Sequence, residues 1–494
     1  MSEKKNNSTQ SKDEKRTGVS LKTQKRFLSI ISVCLVLAGA ILLNIISSVL
    51  TDKYAALTAD ITSNSLYNIG EDSVEIAQKL KKDVKITFLT DKNSYEAYDT
   101  YCKQATNIAD QLKKYSDGKI SVEYMDLVKN PNIQNKYQEE NLSVTDVIVS
   151  CADRYNILKR TDMFNFETYG DYQYITSSRA ESALDTAILK VSSENVTTVG
   201  LINDYAIDDY SVLKKVLDSN NYKVKELSVE RDDIPSDINT VIAFAPSKDY
   251  SKDAVDKLRS YLKNDGKYGR NLIFIAYAYE VECPNITALL SEYGMQLEDG
   301  LAFETNTSRM TSMADGYSNI AAGFSEQMLY ISNYDQKKDY PVLVSRSRAV
   351  KITDERIAVP LLEYSSKSGI CPYSAGDDWK YEDYLIEYVP VAAQGISGGD
   401  SGLSRLIFSG SSEMWTTLLQ QQNFTNKKYI FNILNELNSR QDPGVYLDDK
   451  VITNYDLSSV DVSTKRIAGF IVYAAAPVLI LIAGLCVFLI RRRK

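Results

Sequence analysis

Two uncharged apolar stretches, residues 27–50 and 467–490, bracket a polar insert. Each holds 24 residues, which as a helix exceeds the roughly 30 Å hydrocarbon thickness of a bilayer. The sequence therefore predicts one transmembrane helix at each end. The first reads FLSIISVCLVLAGAILLNIISSVL, longer than the apolar core of a cleavable leader, about 7–15 residues, and Thr51-Asp52-Lys53-Tyr54 offers no small-residue cleavage site. It is read as an uncleaved anchor.

Charge sets the orientation. Lys4, Lys5, Lys12, Lys15, Arg16, Lys22, Lys25 and Arg26 precede the first stretch, against only Glu3, Asp13 and Glu14. Arg491, Arg492, Arg493 and Lys494 follow the second. Basic flanks stay on the cytoplasmic side, so both termini are expected inside and the insert outside. Lys465 and Arg466 on the outer flank of the second stretch oppose this and are outnumbered. Pro477 falls inside the second stretch, where a neighbouring helix would cover the backbone groups it frees.

The insert is expected to fold. The chain is 44% hydrophobic and 25% charged, within the range of globular domains. A net charge of -8 argues against non-specific binding to nucleic acid. The chain has no histidine, which excludes a Ser-His-Asp triad, a Cys-His pair and His-ligated zinc. Six cysteines are present without a CxxC. Cys102, Cys151, Cys283 and Cys371 are expected as buried thiols, with one or two disulfides as the alternative outside the cytoplasm.

Periodicity predicts a helix with Val74, Ile76, Ala77 and Leu80, a strand at 84–89, a helix over 98–115 and a second strand at 120–125. A short helix from Pro131 to Asn141 and a hairpin of 144–150 with 155–158 follow. This order resembles a thioredoxin-like domain, without a redox motif: the place for it reads Thr90-Asp91-Lys92-Asn93-Ser94-Tyr95, and Cys102 stands alone. A helix over 177–193 buries Ala180, Ala183, Leu184, Ala187, Ile188 and Val191 on one face, with Ser178 as cap and Glu181 three residues on. Strands at 197–202, 224–227, 240–245 and 271–276 then alternate with helices at 210–219 and 251–262, the latter capped by Ser251 and ended by Asn264-Asp265-Gly266. Near-continuous apolar strands predict an open parallel sheet covered on both faces. Residues 280–400 are less regular, with strands placed only at 342–344 and 357–359. Ile396 to Gly402 reads as a flexible loop, 404–411 as a returning strand, and 426–438 as a helix.

The expected organisation is a basic tail (1–26), a helix (27–50), a thioredoxin-like α/β domain with its membrane-proximal lead (51–192), a flavodoxin- or amidotransferase-like α/β domain (193–440), a linker (441–466), a helix (467–490) and a basic tail (491–494).

Several stretches in this order resemble the GldG-like auxiliary component of ABC transporters. They are Leu57-Thr58-Ala59-Asp60 with Ser65-Leu66-Tyr67-Asn68-Ile69, the strand Val84 to Leu89, the helix with Glu181, Leu184, Ala187, Ile188 and Val191, Ile234-Pro235-Ser236-Asp237 with the strand after it, Leu258 to Gly266 before Leu272 to Ala276, and Leu406 to Ser411. Two places depart from the family pattern: Asn203-Asp204-Tyr205-Ala206 stands where the family often has Gly-His-Gly-Glu, and Gly410-Ser411-Ser412 stands for a Gly-Asp-Ser turn. The second domain also looks like a glutamine-amidotransferase sheet, an enzyme class that needs the Cys-His pair this chain lacks. The resemblance implies a membrane-anchored, non-enzymatic subunit, partnered by separate permease and ATPase chains and needing no cofactor or metal.

The chain has no GxxxxGK[ST] stretch of its own. Ligands of open α/β sheets sit beyond the carboxyl ends of the strands. That rule nominates Asn203, Asp204, Ser247, Tyr279, Glu280, Ser409, Gly410 and Ser411 as candidate ligand or partner loops, against the reading that they are satisfied loop residues. Tyrosine is abundant, 34 residues against 13 Phe, and Tyr277 with Tyr279, or Tyr381 with Tyr384, form a candidate sugar- or peptide-binding surface. Two function classes remain open at this point, the transport subunit and a stand-alone surface receptor. A role for the helices themselves separates them.

Overall fold

A computed structural model describes residues 68–450 except 138–139, 171, 194–195, 311–317, 319, 325–341, 377–378, 422–423, 441–444 and 446–449. Both apolar stretches, the basic tails, Cys34, Cys486 and Asp377-Asp378 lie outside the described residues. Among the described residues no helix is long and apolar enough to cross a membrane.

The first half builds a small sheet. Helix α1 (Glu71–Gln78) leads into β1 (Val84–Phe88), α2 (Lys92–Tyr98), α3 (Thr100–Tyr115), β2 (Ile120–Tyr124), α4 (Pro131–Lys136), β3 (Val147–Cys151) and β4 (Arg154–Leu158). The sheet order is β2-β1-β3-β4, with β1 and β2 parallel and the other pairs antiparallel. The helix expected over 98–115 is α3, starting at Thr100, and Tyr98 instead ends a separate helix, α2, that the sequence did not announce. Asp99 breaks them with extended backbone, and its carboxylate accepts Tyr101 N–H at 2.9 Å. Asp91 caps α2 in the same way through Ser94 N–H. Such caps satisfy amide donors that a helix leaves open.

A short helix, α5 (Arg160–Met163), and a hairpin of β5 (Phe164–Tyr169) and β6 (Tyr172–Ser178) lead to α6 (Ala180–Ser192). All six apolar positions read from the periodicity of α6 are buried, against Ala105, Ile108, Ala109 and Leu112 of α3 and the strands of the small sheet. Ser178 Oγ accepts Ala180 N–H at 3.2 Å, but the expected pair with Glu181 is not formed. The cap position is Arg179, and Glu181 turns away into a buried cluster.

The second half is built around a sheet of nine strands, in the order β13-β12-β15-β17-β18-β10-β9-β7-β8. The parallel part comprises β7 (Thr197–Ile202), β8 (Tyr222–Leu227), β9 (Thr240–Phe244), β10 (Asn271–Ile275) and β18 (Gly402–Ser409). Helix α7 (Ser211–Ser219) covers one face and α8 (Lys252–Lys263) and α9 (Pro284–Glu292) the other. The strands are apolar throughout because both faces are covered. In β9, Ile242 and Phe244 pack toward α7, and Val241 and Ala243 toward α8. Ser251 caps α8 by accepting Ala254 N–H at 3.1 Å, and Asn264, Asp265 and Gly266 all take left-handed φ values where it ends.

The sheet is not parallel throughout, as the periodicity had implied. Its other end is antiparallel, built from β12 (Ile320–Phe324), β13 (Val342–Val344), β15 (Ala358–Glu363) and β17 (Pro390–Gly399). The expected flexible loop at 396–402 is the tip of the β17–β18 hairpin, closed by the pair Gly399 and Gly402. Its glycines mark contact: a Cβ on Gly398 would lie 2.4 Å from Gly402 O. A second antiparallel sheet, β14 (Arg348–Ile352), β11 (Met295–Glu304) and β16 (Ser368–Cys371), packs beside it. Helix α10 (Asn426–Leu437) returns to the α7 face, burying Ile430, Phe431, Ile433 and Leu434. The described residues all belong to one compact unit. Cys102, Cys151 and Cys283 are buried free thiols, Cys371 is a half-buried one, and burial pushes the Cys102 and Cys283 thiols up to about 11.

Candidate functional site

The parallel strands run β8-β7-β9-β10-β18, and their order reverses between β7 and β9. The rule for open sheets puts a ligand beyond that point. Here the two loops close on each other. The Asp204 carboxylate accepts Ser228 Oγ–H at 2.6 Å and Val229 N–H at 2.7 Å. Asn203 Nδ2 donates to Tyr210 Oη at 2.8 Å and Glu226 Oε2 at 3.1 Å. Tyr205, at φ 62°, turns its carbonyl back to accept both Ser247 N–H and Ser247 Oγ–H, and Ala206 pairs with Pro246.

The β18 end is closed as well. Ser409 Oγ accepts Trp415 Nε1–H at 2.8 Å. Gly410 N–H donates to Val391 O, and Gly410 O accepts Arg348 N–H, both at 2.9 Å. Ser411 Oγ donates to Ser345 O at 2.5 Å, and Ser412 Oγ donates to Asp208 at 2.6 Å. A carboxylate thus reaches this turn from the loop after β7. Of the eight candidates, only Tyr279 and Glu280 stay exposed, with the Tyr279 ring 5.0 Å from that of Tyr277 and 5.9 Å from the Arg346 guanidinium carbon. Asp204→Ala is therefore expected to cost about 1–3 kcal/mol in stability, because it strands two buried donors. Denaturant unfolding of the variant checks this, and a change in ligand response at unaltered stability would contradict it.

Two features went unread in the sequence. The first is a cleft of about 730 Å³ lined by Asn306, Arg309, Gly323, Phe324, Pro360 and Glu363 with the 364–366 turn and Tyr388. The carboxylate of Glu304, 1% exposed, holds that turn by accepting Thr305, Asn306 and Ser365 N–H and Ser365 Oγ–H. The cleft sits on the antiparallel end of the sheet, where the sequence announced only the strands at 342–344 and 357–359, now β13 and the start of β15.

The second is a buried ionic cluster where α1, α6 and residue 450 meet. Ser73 Oγ lies 2.7 Å from Glu181 Oε1 and 2.6 Å from Asp185 Oδ2. A hydroxyl has one proton to give, so one of these contacts needs a proton from the carboxyl side. Burial holds the Asp185 carboxyl well above the ordinary range, aided by the charge of Glu181. Asp185 then donates to Ser73, and Ser73 to Glu181. Glu181 also accepts Gly70 N–H and faces Lys450 Nζ at 2.6 Å. Lys450 reaches Asn68 O with the same ammonium and pairs with Ser178 through two backbone hydrogen bonds of 2.7 Å. Burial, reinforced by Glu75, Glu181 and Glu71 and opposed by Lys428, pushes Asp72 up to about 6.

These shifts fix a sign. Asp72 and Asp185 hold protons more tightly folded than unfolded, so their contribution is complete below the unfolded value of 3.8 and is lost as pH rises through the folded values, about 6 for Asp72. The stability difference between wild type and Asp185→Asn is expected to move in favour of the variant as pH climbs from 4 to 7. Urea unfolding across that range tests it, and a flat difference refutes the protonated Asp185.

A family model described as a domain of unknown function, DUF7088, matches residues 63–161. No protein of curated function matches the chain. Among solved structures the chain is similar to the mmIFT52 N-terminal domain at 16% identity and TM-score 0.37, over 48% of this chain and 96% of that one. It is similar to a glutamine amidotransferase from Thermotoga maritima at 10% identity and TM-score 0.26, over 50% and 86%. It is similar to Agd3, described as a novel carbohydrate deacetylase, at 13% identity and TM-score 0.26, over 47% and 32%.

Proposed function

We propose that this chain is a non-enzymatic, membrane-anchored, extracytoplasmic auxiliary subunit of an ABC-type transport complex, working with separate permease and ATPase chains. The observation that carries the reading is the junction at Asn68 and Lys450. Asn68 and Lys450, the described residues nearest in sequence to the two apolar stretches, lie side by side, which suits a pair of helices entering one membrane together. The lack of histidine and the self-satisfied strand-end loops count against catalysis at the sheet's strand ends. The order β2-β1-β3-β4, with β3 antiparallel, supports a thioredoxin-like first domain. The order β8-β7-β9-β10-β18 supports a flavodoxin- or amidotransferase-like second one.

Purification in mild detergent tests the reading. A polytopic permease and a cytoplasmic ATPase in comparable amounts are the expected companions. A single band, with no such chains crosslinked in cells, overturns it. The cleft beside Arg309 and Tyr388 favours a second reading, a stand-alone surface receptor. Exchange of both apolar stretches for unrelated anchors separates the two, because only the receptor keeps its function.

A further inference from the structure

The segment 379–388 joins β16 to β17 and divides its side chains in an unusual way. Its inward groups fix it firmly. The Trp379 ring meets Phe303 at 5.3 Å and Tyr384 at 6.1 Å. Ile386 N–H donates to Ser368 O at 2.9 Å, Val389 N–H to Ser368 Oγ at 3.2 Å, and Leu385 pairs with Gly369 at the sheet edge. Gly369 leaves the space for this, since a Cβ there would lie 2.3 Å from Tyr384 O and 2.4 Å from the Phe303 ring.

The outward groups are large and apolar. Tyr381, Leu385, Ile386 and Tyr388 are 46%, 47%, 51% and 56% exposed within eight residues of chain. Tyr388 also takes a left-handed φ of 57°, uncommon for a bulky side chain. A concavity of about 770 Å³ lies at Trp379, Lys380, Tyr381 and Glu382, and the Arg309 cleft opens at Tyr388. Clustered exposed aromatic and aliphatic groups on a rigid backbone are the make-up of protein-binding hot spots.

Charge selects the occupant. Glu382, Asp383 and Glu387 are exposed among these groups, against Lys380 alone. A second copy would set acid against acid, and an anionic lipid surface would be repelled. We infer that the segment 379–388 is a docking surface for a different protein, one presenting apolar side chains inside a rim of Lys and Arg. The surface belongs to the folded unit and goes beyond the transport reading, since it requires neither permease nor ATPase.

The test uses the full chain in the cells that make it, with a photo-crosslinking amino acid at Ile386 and, as control, at Ile207, which is 69% exposed. The expected result is an adduct at 386 to another polypeptide, whose crosslinked peptide carries Lys or Arg. The triple variant Glu382→Lys, Asp383→Lys, Glu387→Lys is expected to lower it about tenfold. Should that variant melt early, Leu385→Ser with Tyr381→Ser, also at exposed positions, serves in its place. An adduct of twice the chain's mass, a lipid adduct, a crosslinked peptide without basic residues, an adduct that survives both variants, or no adduct above the control each overturns the proposal. A basic-rimmed partner that is neither permease nor ATPase supports this surface while the detergent purification decides the transport reading.

Discussion

Replacing Lys450 by methionine is expected to destabilise the first half of the fold by about 3–5 kcal/mol, the cost of leaving a buried carboxylate without its cation. Glu181 is 3% exposed, and the Lys450 side chain only 14%. Methionine keeps the length and apolar stem of lysine, so the loss is electrostatic. Glu181→Gln in the same chain should return most of it, because glutamine still accepts from Gly70 N–H and Ser73 Oγ–H and leaves no buried charge. The readout is local: amide exchange at 70–78 and at Ser178 is expected to speed up in the single variant and recover in the double. A single variant as protected as wild type would mean that the ion pair does not hold the junction. The same Lys450 ammonium donates to Asn68 O, so its loss is also expected to loosen residue 450 from residue 68.

What the sequence makes legible follows from range. Helices and parallel strands repeat every few residues, so the stripes of α3 and α6 and the apolar runs of β7, β9 and β10 could be read directly. The cap at Ser251 could be read for the same reason, since its partner Ala254 N–H is three residues away. The cluster at Glu181 joins residues more than 100 positions apart, and Glu181 beside Ser178 imitates a local cap. Residues 280–400 were hard to read because their strands pair antiparallel at a sheet edge, with bulges between Pro360 and Leu362 and between Leu297 and Leu301 that break alternation. The glycines of β17 were misread for a related reason. Gly398 lacks a side chain because the facing strand lies against it, a Cβ there coming 2.4 Å from Gly402 O, a cause the sequence does not display.

Gly410→Ala is the second change with a large expected effect, and it separates packing from ligand binding at a turn that sequence rules nominated as a site. A Cβ at this position would lie 2.0 Å from Arg348 O and 2.2 Å from Ser347 Oγ. Neither neighbour can retreat easily. Ser347 is fully buried, and Arg348 is held from both ends. Its N–H bonds Gly410 O, while its guanidinium donates to Val281 O at 3.3 Å and Glu298 O at 3.1 Å. Gly410 is pinned in turn by its own N–H on Val391 O. The methyl must therefore break a backbone pair, and the expected loss is about 3 kcal/mol, the upper end of ordinary overpacking. Ser247→Ala, at the switch point, removes one hydrogen bond to Tyr205 O and is expected to cost about 1 kcal/mol. Denaturant midpoints of the two variants give the comparison. If Gly410 were instead a turn kept small for a ligand, alanine would leave the midpoint unchanged and alter only binding. The Arg348 contact predicts the reverse, because the β18 turn is where the nine-stranded sheet and the smaller β14-β11-β16 sheet are joined backbone to backbone.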